Sequence, residues 1–352
     1  MKKHLFIIFL LVTLLGVGVG CKKDVYVGGH TRISSGIAVP GYWKNGGWQI
    51  LPRLYLDGNA FVTSLAISKG DVYAAGYCGN GLGIYVPGYW KNGSWVGMPP
   101  IDTAKDAFVY EIAISGGDVY AAGVADDSND VTRACYWKNG TRIDLPLLDE
   151  TKGSYCYALA IADGDVYAGG YCKTSAEILV PGYWKNGVWD DLSPLDDTRS
   201  SWVSSLAISG GDVYAGGLST NTSGAGIPGY WKNGTWFGLP TLDEVNNAMV
   251  YSIVISGSTV YAAGYCRNSS NDRVPGYWKN EEWTGLPVLD ETRDAEVNAL
   301  TISGKDVYAA GYCRNSSNNT VPGYWKNEEW TGLPPADSTK NSRADAIVVG
   351  WK

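Results

Sequence analysis

The sequence predicts an all-β protein in which seven four-stranded sheets form a closed ring, and three observations support this fold class. First, the motif YWKNG or YWKNE recurs, and its tryptophan always lies 47 residues beyond the previous one. Second, each unit divides into four short β-favouring segments separated by Gly, Pro and Asn. Third, the chain begins and ends within one shared unit. The tryptophans are Trp43, Trp90, Trp137, Trp184, Trp231, Trp278 and Trp325.

The unit at residues 61–98 illustrates the four predicted strands. Strand A covers Val62 to Ser68, strand B covers Asp71 to Cys78, and strand C covers Pro87 to Lys91. An Asn-Gly pair leads into strand D, which begins at Ser94, because Asn-Gly supplies the positive φ angles of a tight hairpin. Tyr and Trp of the motif alternate along strand C and therefore point to opposite faces of the sheet. Both faces must be covered, as they are when sheets stack around an axis.

The two ends of the chain predict how the ring closes. The motif DVY, which opens strand B, first appears at Asp24 with no strand A before it. The last segment, Ala344–Gly350, aligns with strand A of the preceding unit, Val297–Ser303. We therefore predict that Ala344–Gly350 pairs with the strand that begins at Asp24. This pairing closes the ring and covers the free edges of the sheets, whereas an open solenoid does not need a repeat that is divided between its two ends.

With these features the chain resembles a seven-bladed β-propeller. The order V-x-S-L-A-I-S, D-V-Y-A-A-G and G-Y-W-K resembles the inner-to-outer strand order of WD40 and Kelch blades. The GH and WD of the former and the regular double Gly of the latter are missing. The chain looks more like the repetitive lipoprotein propellers of bacteria with YWKNG-type repeats. The resemblance covers residues 24–352 and implies the fold, but it says almost nothing about function.

The first residues resemble a bacterial export signal. Lys2 and Lys3 precede an apolar run, Leu5 to Val19, which is too short to cross a hydrocarbon core of ~30 Å comfortably. Small residues then precede Cys21, as in a lipobox, although Gly18 stands where Leu is usual. Cleavage by an ordinary signal peptidase followed by release is the alternative to acylation of this cysteine.

The lipobox resemblance implies three segments: a signal peptide over residues 1–20, a lipid-anchor segment over 21–23 with Cys21 acylated, and the propeller over 24–352. It also implies an exported bacterial lipoprotein, anchored at the outer membrane or cell surface through its N-terminal lipid. The chain carries a formal net charge of −7, and no basic patch recurs between repeats. A nucleic-acid partner is therefore not expected.

Groups that could carry chemistry are few. His30 is the single histidine after the signal, and we expect it to be a loop residue rather than a general base. A recurrent aspartate after strand D suits Asx turns better than a catalytic pair. Converging metal ligands are not apparent, so we predict no enzyme activity, no cofactor and no metal. The aspartates are Asp102, Asp149, Asp196, Asp243, Asp290 and Asp337.

Cysteines recur at one position of the repeat, at Cys78, Cys172, Cys266 and Cys313. Equivalent positions of stacked sheets lie about 10 Å apart or more, whereas a disulfide needs Cα atoms within about 7 Å. Cys156 lies on the strand predicted to pair with that of Cys172, but on the opposite face. We therefore predict small buried thiols rather than disulfides.

The residue just before strand A gives the sharpest indication of a binding site. Two units place a charge there, and an unpaired buried charge costs several kcal/mol, so we expect this position to be exposed. An exposed row of aromatics indicates contact with a ligand. Packing between blades and neutral drift on a solvent face are the alternatives. The predicted ligand-binding residues are Phe61, Phe108, Tyr155, Trp202, Met249, Glu296 and Arg343, with Tyr110, Tyr157 and Tyr251 two positions further on.

The sequence therefore favours a surface-displayed binding module that recognises a glycan or protein partner through the variable B–C and D–A loop face. We expect a monomer and no covalent chemistry at this face. A structural surface-coat protein without a specific ligand is one alternative. A propeller hydrolase or lyase is another.

Overall fold

The computed structural model describes residues 23–243 and 247–351. Within these ranges the chain forms seven antiparallel sheets of four strands each, arranged as the blades of a β-propeller. The predicted signal peptide and Cys21 lie outside the described residues. No helix that could cross a membrane occurs in the described ranges.

In every blade the strands run from A, nearest the central axis, to D at the rim. Strands A are β28 (Arg343–Trp351), β4 (Ala60–Ser68), β8 (Ala107–Ser115), β12 (Ser154–Ala162), β16 (Trp202–Ser209), β20 (Met249–Ser256) and β24 (Ala295–Ser303). Strands B are β1 (Lys23–Arg32), β5 (Asp71–Gly79), β9 (Asp118–Asp126), β13 (Asp165–Lys173), β17 (Asp212–Thr220), β21 (Thr259–Arg267) and β25 (Asp306–Arg314). Strands C are β2 (Ala38–Lys44), β6 (Tyr85–Lys91), β10 (Thr132–Lys138), β14 (Leu179–Lys185), β18 (Gly226–Lys232), β22 (Arg273–Lys279) and β26 (Thr320–Lys326). Strands D are β3 (Gly47–Ile50), β7 (Ser94–Gly97), β11 (Thr141–Asp144), β15 (Val188–Asp191), β19 (Thr235–Gly238), β23 (Glu282–Gly285) and β27 (Glu329–Gly332).

The first blade is assembled from both ends of the chain. The C-terminal strand β28 pairs antiparallel with β1, with Asp24 opposite Gly350 and Val27 opposite Ile347. The predicted closure is confirmed. Because β28 lies between β1 and the channel, the inner edge of β1 is covered and the ring has no open blade.

The YWKNG motif joins strands within a blade and blades to one another. Its tryptophan is at most 1% exposed in all seven units. Its Asn occupies the left-handed conformation at the C–D turn and also holds the start of strand B. In the second blade Asn92 accepts a hydrogen bond from the Val72 amide at 2.9 Å and donates one to Asp71 at 2.8 Å. The two most repetitive motifs, YWKNG and DVY, therefore contact each other directly.

Every inner strand contains a β-bulge that the sequence analysis did not predict. In β4 the register against β5 shifts between Val62 and Ser64, so that Thr63 is the extra residue. A glycine lies opposite each bulge: a Cβ at Gly76 would collide with the carbonyl oxygen of Phe61. The bulge twists the first residues of each inner strand relative to the rest of the blade. The bulged residues are Thr63, Tyr110, Tyr157, Ser204, Tyr251, Asn298 and Asp345.

The cysteines and the recurrent aspartates occupy positions that serve the fold: the cysteines are buried, and the aspartates form turns. Six cysteines are described, and all are free and buried, as predicted. Burial raises the pKa of the Cys172 thiol to about 12, which keeps it protonated.

The aspartate after strand D forms the predicted Asx turn: Asp149 accepts a hydrogen bond from the Thr151 amide at 2.9 Å. The same contact recurs at Asp102, Asp196, Asp290 and Asp337.

Candidate functional site

The inner strands surround a channel, which holds a cavity of about 1020 Å³ where these strands begin. This end of the ring carries the B–C and D–A loops. Seven of the ten predicted binding residues line the cavity, and three lie behind its wall. The lining residues are Phe61, Tyr110, Tyr157, Trp202, Met249, Tyr251 and Arg343. The three others are Phe108, Tyr155 and Glu296.

The prediction that the position before strand A is exposed was wrong. Its residues belong to the first two positions of the inner strands themselves and are half-buried or buried. Met249 is 4% and Glu296 is 2% exposed. The argument from unpaired charges fails because Glu296 is paired: Arg273 donates a hydrogen bond to its carboxylate, and Arg343 lies 3.6 Å away.

Charged side chains from three blades form a continuous network at one sector of the channel. Arg273 of β22 and Arg343 of β28 flank Glu296 of β24. Arg343 also lies 3.5 Å from Asp345, whose other oxygen lies 3.6 Å from Nδ1 of His30. Burial would raise the pKa of Asp345, but His30 and Arg343 reverse this effect and lower it overall. The alternation of charges lets buried ionised groups persist beside the cavity.

His30 is not the loop residue that the sequence analysis expected. It lies in β1 opposite Arg343, lines the cavity and is 7% exposed. Its ring packs edge-on against Phe61, with centroids 4.8 Å apart. His30 therefore connects the charged network with the aromatic wall.

Aromatic rings form the adjoining wall of the channel across the second to fourth blades. Phe61 packs on Tyr77 at 5.1 Å, and Tyr77 packs on Phe108 at 4.9 Å. Tyr110 and Tyr157 lie 5.3 Å apart, and Tyr155 stacks behind Tyr157 at 5.7 Å. Phe108 and Tyr155 thus support rings that line the cavity instead of lining it themselves.

Tyr77 was missed by the sequence analysis, although it lines the cavity from strand B. It lies directly opposite Phe61 in the β4–β5 ladder. Cross-strand register could have identified it, because directly opposite side chains share one face of a sheet.

The bulged residues divide into two groups by length. Short polar side chains bind the neighbouring blade: Thr63 donates to the carbonyl of Val109 at 2.8 Å, and Asn298 donates to that of Ala344 at 2.9 Å. Tyrosines at the same position line the cavity with their rings. Burial raises the pKa of Tyr157 to about 12, so its hydroxyl stays protonated and can donate a hydrogen bond.

Glu111 is the second cavity-lining carboxylate that the sequence analysis missed, besides Asp345. It follows the bulge in β8, and its Oε2 accepts a hydrogen bond from the Leu159 amide of the next blade at 2.7 Å. Burial raises its pKa to about 7, although this hydrogen bond opposes the shift. Comparison of the repeats could have found it, because the other six blades have Ser or Ala at this position.

No group of three or more His, Cys, Asp or Glu residues is placed to hold a metal ion in the described part of the chain. Neither the protein-family models nor the curated proteins include a match to the chain. Among solved structures, it is similar to one described as "Structure of YjhT", at 12% identity and a TM-score of 0.46. That alignment covers 81% of this chain and 99% of the other.

Two further similar structures are of the lectin from Aleuria aurantia, described as a six-bladed β-propeller with a novel fucose recognition mode. One is 12% identical, with a TM-score of 0.43, and covers 81% of this chain and 98% of the lectin. The other, a variant in complex with α-methyl-L-fucoside, is 11% identical, with a TM-score of 0.44, and covers 81% and 97%.

Proposed function

We propose that the protein is a membrane-anchored, extracytoplasmic binding module that holds a glycan in the mouth of its channel. One observation carries this proposal: the cavity of about 1020 Å³ is lined by aromatic rings and, in the adjoining sector, by His30, Arg343 and Asp345 of the charged network. Sugars present apolar faces to aromatic rings and hydroxyls to polar groups. The protein supplies both within one concavity.

A glycan suits this geometry better than a protein partner. Small-molecule sites are concave, predominantly apolar and supplied with a few placed polar groups, at volumes of roughly 300–1,000 Å³. A stable protein interface instead buries about 800 Å² on each partner, centred on projecting anchor residues. The aromatics here are half-buried around a hollow, so they are better placed to surround a sugar than to insert into a partner.

The anchoring part of the proposal rests on Cys21. Strand β1 begins at Lys23, at the A–B turn end of the first blade, whereas the cavity lies at the opposite end of the inner strands. A lipid on Cys21 would therefore leave the cavity facing away from the membrane. We expect Cys21→Ser to abolish incorporation of labelled fatty acid, and unchanged labelling would show that this cysteine is not the anchor.

A glycan-binding screen with the full mature chain tests the function. We expect Trp202→Ala to weaken binding by about 1–3 kcal/mol, because this half-buried ring lines the cavity. The variant should stay folded with a lowered melting temperature, because the ring also packs against the cluster of Leu218, Met249 and Tyr265. Phe237→Ala is the matched control, because Phe237 is a 36% exposed aromatic on the outer strand of the same blade. If Trp202→Ala unfolds the protein, the ring belongs to the core and the assignment is wrong.

Two other functions are outcomes of the same screen. A structural coat protein would bind no glycan and no protein. A hydrolase is favoured by one observation: Glu111 and Asp345 line the same cavity, and their pKa values are displaced in opposite directions. Release of new reducing ends from a bound oligosaccharide would establish that activity, and binding without release supports the module proposed here.

A further inference from the structure

The side chain of Glu111 is longer than the fold requires at its position, and it carries a carboxyl group where other blades have a small residue. In four blades the residue after the bulge accepts a hydrogen bond from a backbone amide of the next blade. Serine performs this role in other blades: Ser205 accepts from the Ile253 amide at 3.1 Å, and Ser252 accepts from the Leu300 amide at 3.1 Å. Glu111 accepts the equivalent amide hydrogen bond from Leu159 at 2.7 Å. A serine hydroxyl would be sufficient to accept this amide hydrogen bond, so the bond alone does not explain the carboxylate.

The carboxylate lines the cavity without a cation beside it. Its one polar contact within the described ranges is the Leu159 amide, which engages Oε2. Asp345, the other carboxylate on the cavity wall, is flanked by His30 and Arg343. These two groups belong to the first blade, whereas Glu111 belongs to the third. An acidic group that is partly removed from water and lacks a counter-charge attracts a cationic ligand group.

We propose that Glu111 is a specificity residue that selects a glycan bearing a free amino group, such as an oligomer of an amino sugar. This inference rests on the proposed glycan function. The ammonium group would contact the free Oε1, while Oε2 keeps its bond to the Leu159 amide. The sugar ring would lie against the aromatic wall that begins at the neighbouring Tyr110 and Tyr157.

The test compares two probes of equal length, an oligomer of glucosamine and its fully N-acetylated counterpart, by titration calorimetry at near-neutral pH. For the full mature chain we expect the amine form to bind about five- to ten-fold more tightly, the range of a single partly desolvated ion pair. Glu111→Ser should remove this preference and leave the affinity for the N-acetylated oligomer unchanged. The variant should fold normally, because serine fills the same position at Ser64, Ser205 and Ser252.

Glu111→Gln is the second variant, because it keeps an acceptor for the Leu159 amide and removes only the charge. Equal affinity of the wild type for both probes, or a preference that survives in both variants, would overturn the role of Glu111. If neither probe nor any other glycan binds, the proposed function itself fails. The two failures are therefore distinguishable.

Discussion

The indole Nε1 of Trp43 donates a hydrogen bond to the carbonyl oxygen of Pro334 at 3.0 Å, across 291 residues of sequence. Trp43 lies in the first blade and Pro334 follows the outer strand of the seventh. The same bond crosses every other blade boundary, always to a carbonyl 38 residues earlier, as from Trp184 to Pro146 at 2.9 Å. The contact that closes the ring is therefore the ordinary contact between neighbouring blades.

The contribution of this hydrogen bond to stability can be measured by comparing two tryptophans of one hairpin. Trp184→Phe should destabilise the protein by about 1–3 kcal/mol, because the Pro146 carbonyl loses its indole donor and keeps only the Cys172 thiol, whose Sγ lies 3.9 Å away. Trp189 packs on Trp184 with centroids 4.5 Å apart, but its Nε1 is buried without a partner. Trp189→Phe should therefore cost clearly less in denaturant unfolding. Equal losses would mean that ring volume matters rather than the hydrogen bond.

The C-terminal strand should contribute strongly to stability. Deletion of residues 344–352 removes the strand that pairs with β1, together with the buried side chain of Ile347. Each fully buried aliphatic side chain contributes about 1.5–3 kcal/mol, and an exposed β1 edge invites association. We expect a far lower melting temperature than after a surface deletion of equal length. Ile347→Ala measures the side chain alone, and an unchanged melt of the deletion variant would contradict closure by β28.

Two C–D turns carry measurable backbone strain. Glu281 and Glu328 replace the turn glycine and adopt φ of 71° and 72°. A side chain in this region costs roughly 1 kcal/mol relative to glycine, so Glu281→Gly should stabilise the protein by about that amount. The reverse change, Gly187→Glu at φ 82°, should destabilise it similarly. Chemical unfolding measures both, and a clear loss of stability in Glu281→Gly would show that the glutamate is favoured there by other contacts.

Glu111 should make stability depend on pH. Its folded-state pKa of about 7 lies above the ordinary value of 4.5, so the unfolded chain releases this proton first as pH rises. Between these values the folded state binds more protons, and the free energy of unfolding falls with rising pH. Glu111→Gln should flatten this decline, measured by urea unfolding at several pH values across the window. Glu282→Gln removes an exposed acid from an outer strand and is the control for the loss of one carboxyl group.

The channel wall was only partly predictable from the sequence. The ten candidate residues were selected from two aligned positions of the repeat, and seven of them line the cavity. The burial of Glu296 was not predictable, because its partners Arg273 and Arg343 belong to the blades on either side. The role of His30 was missed although the pairing of its strand with the C-terminal strand was predicted, because the bulge at Asp345 shifts the register between the two strands.

The sequence by itself determined the number of blades, the order of their strands and the closure of the ring. It could do so because each repeat encodes the same local strands and turns, and because Asp24 and Ala344 divide one blade between the two ends. Tertiary structure alone decided which side chains meet in the channel. A bulge shifts each inner strand by one residue, and the closed ring brings Glu111 against Leu159 of the next blade. Such contacts between blades depend on the bulged register of the inner strands and on how neighbouring sheets stack, which no local run of residues specifies.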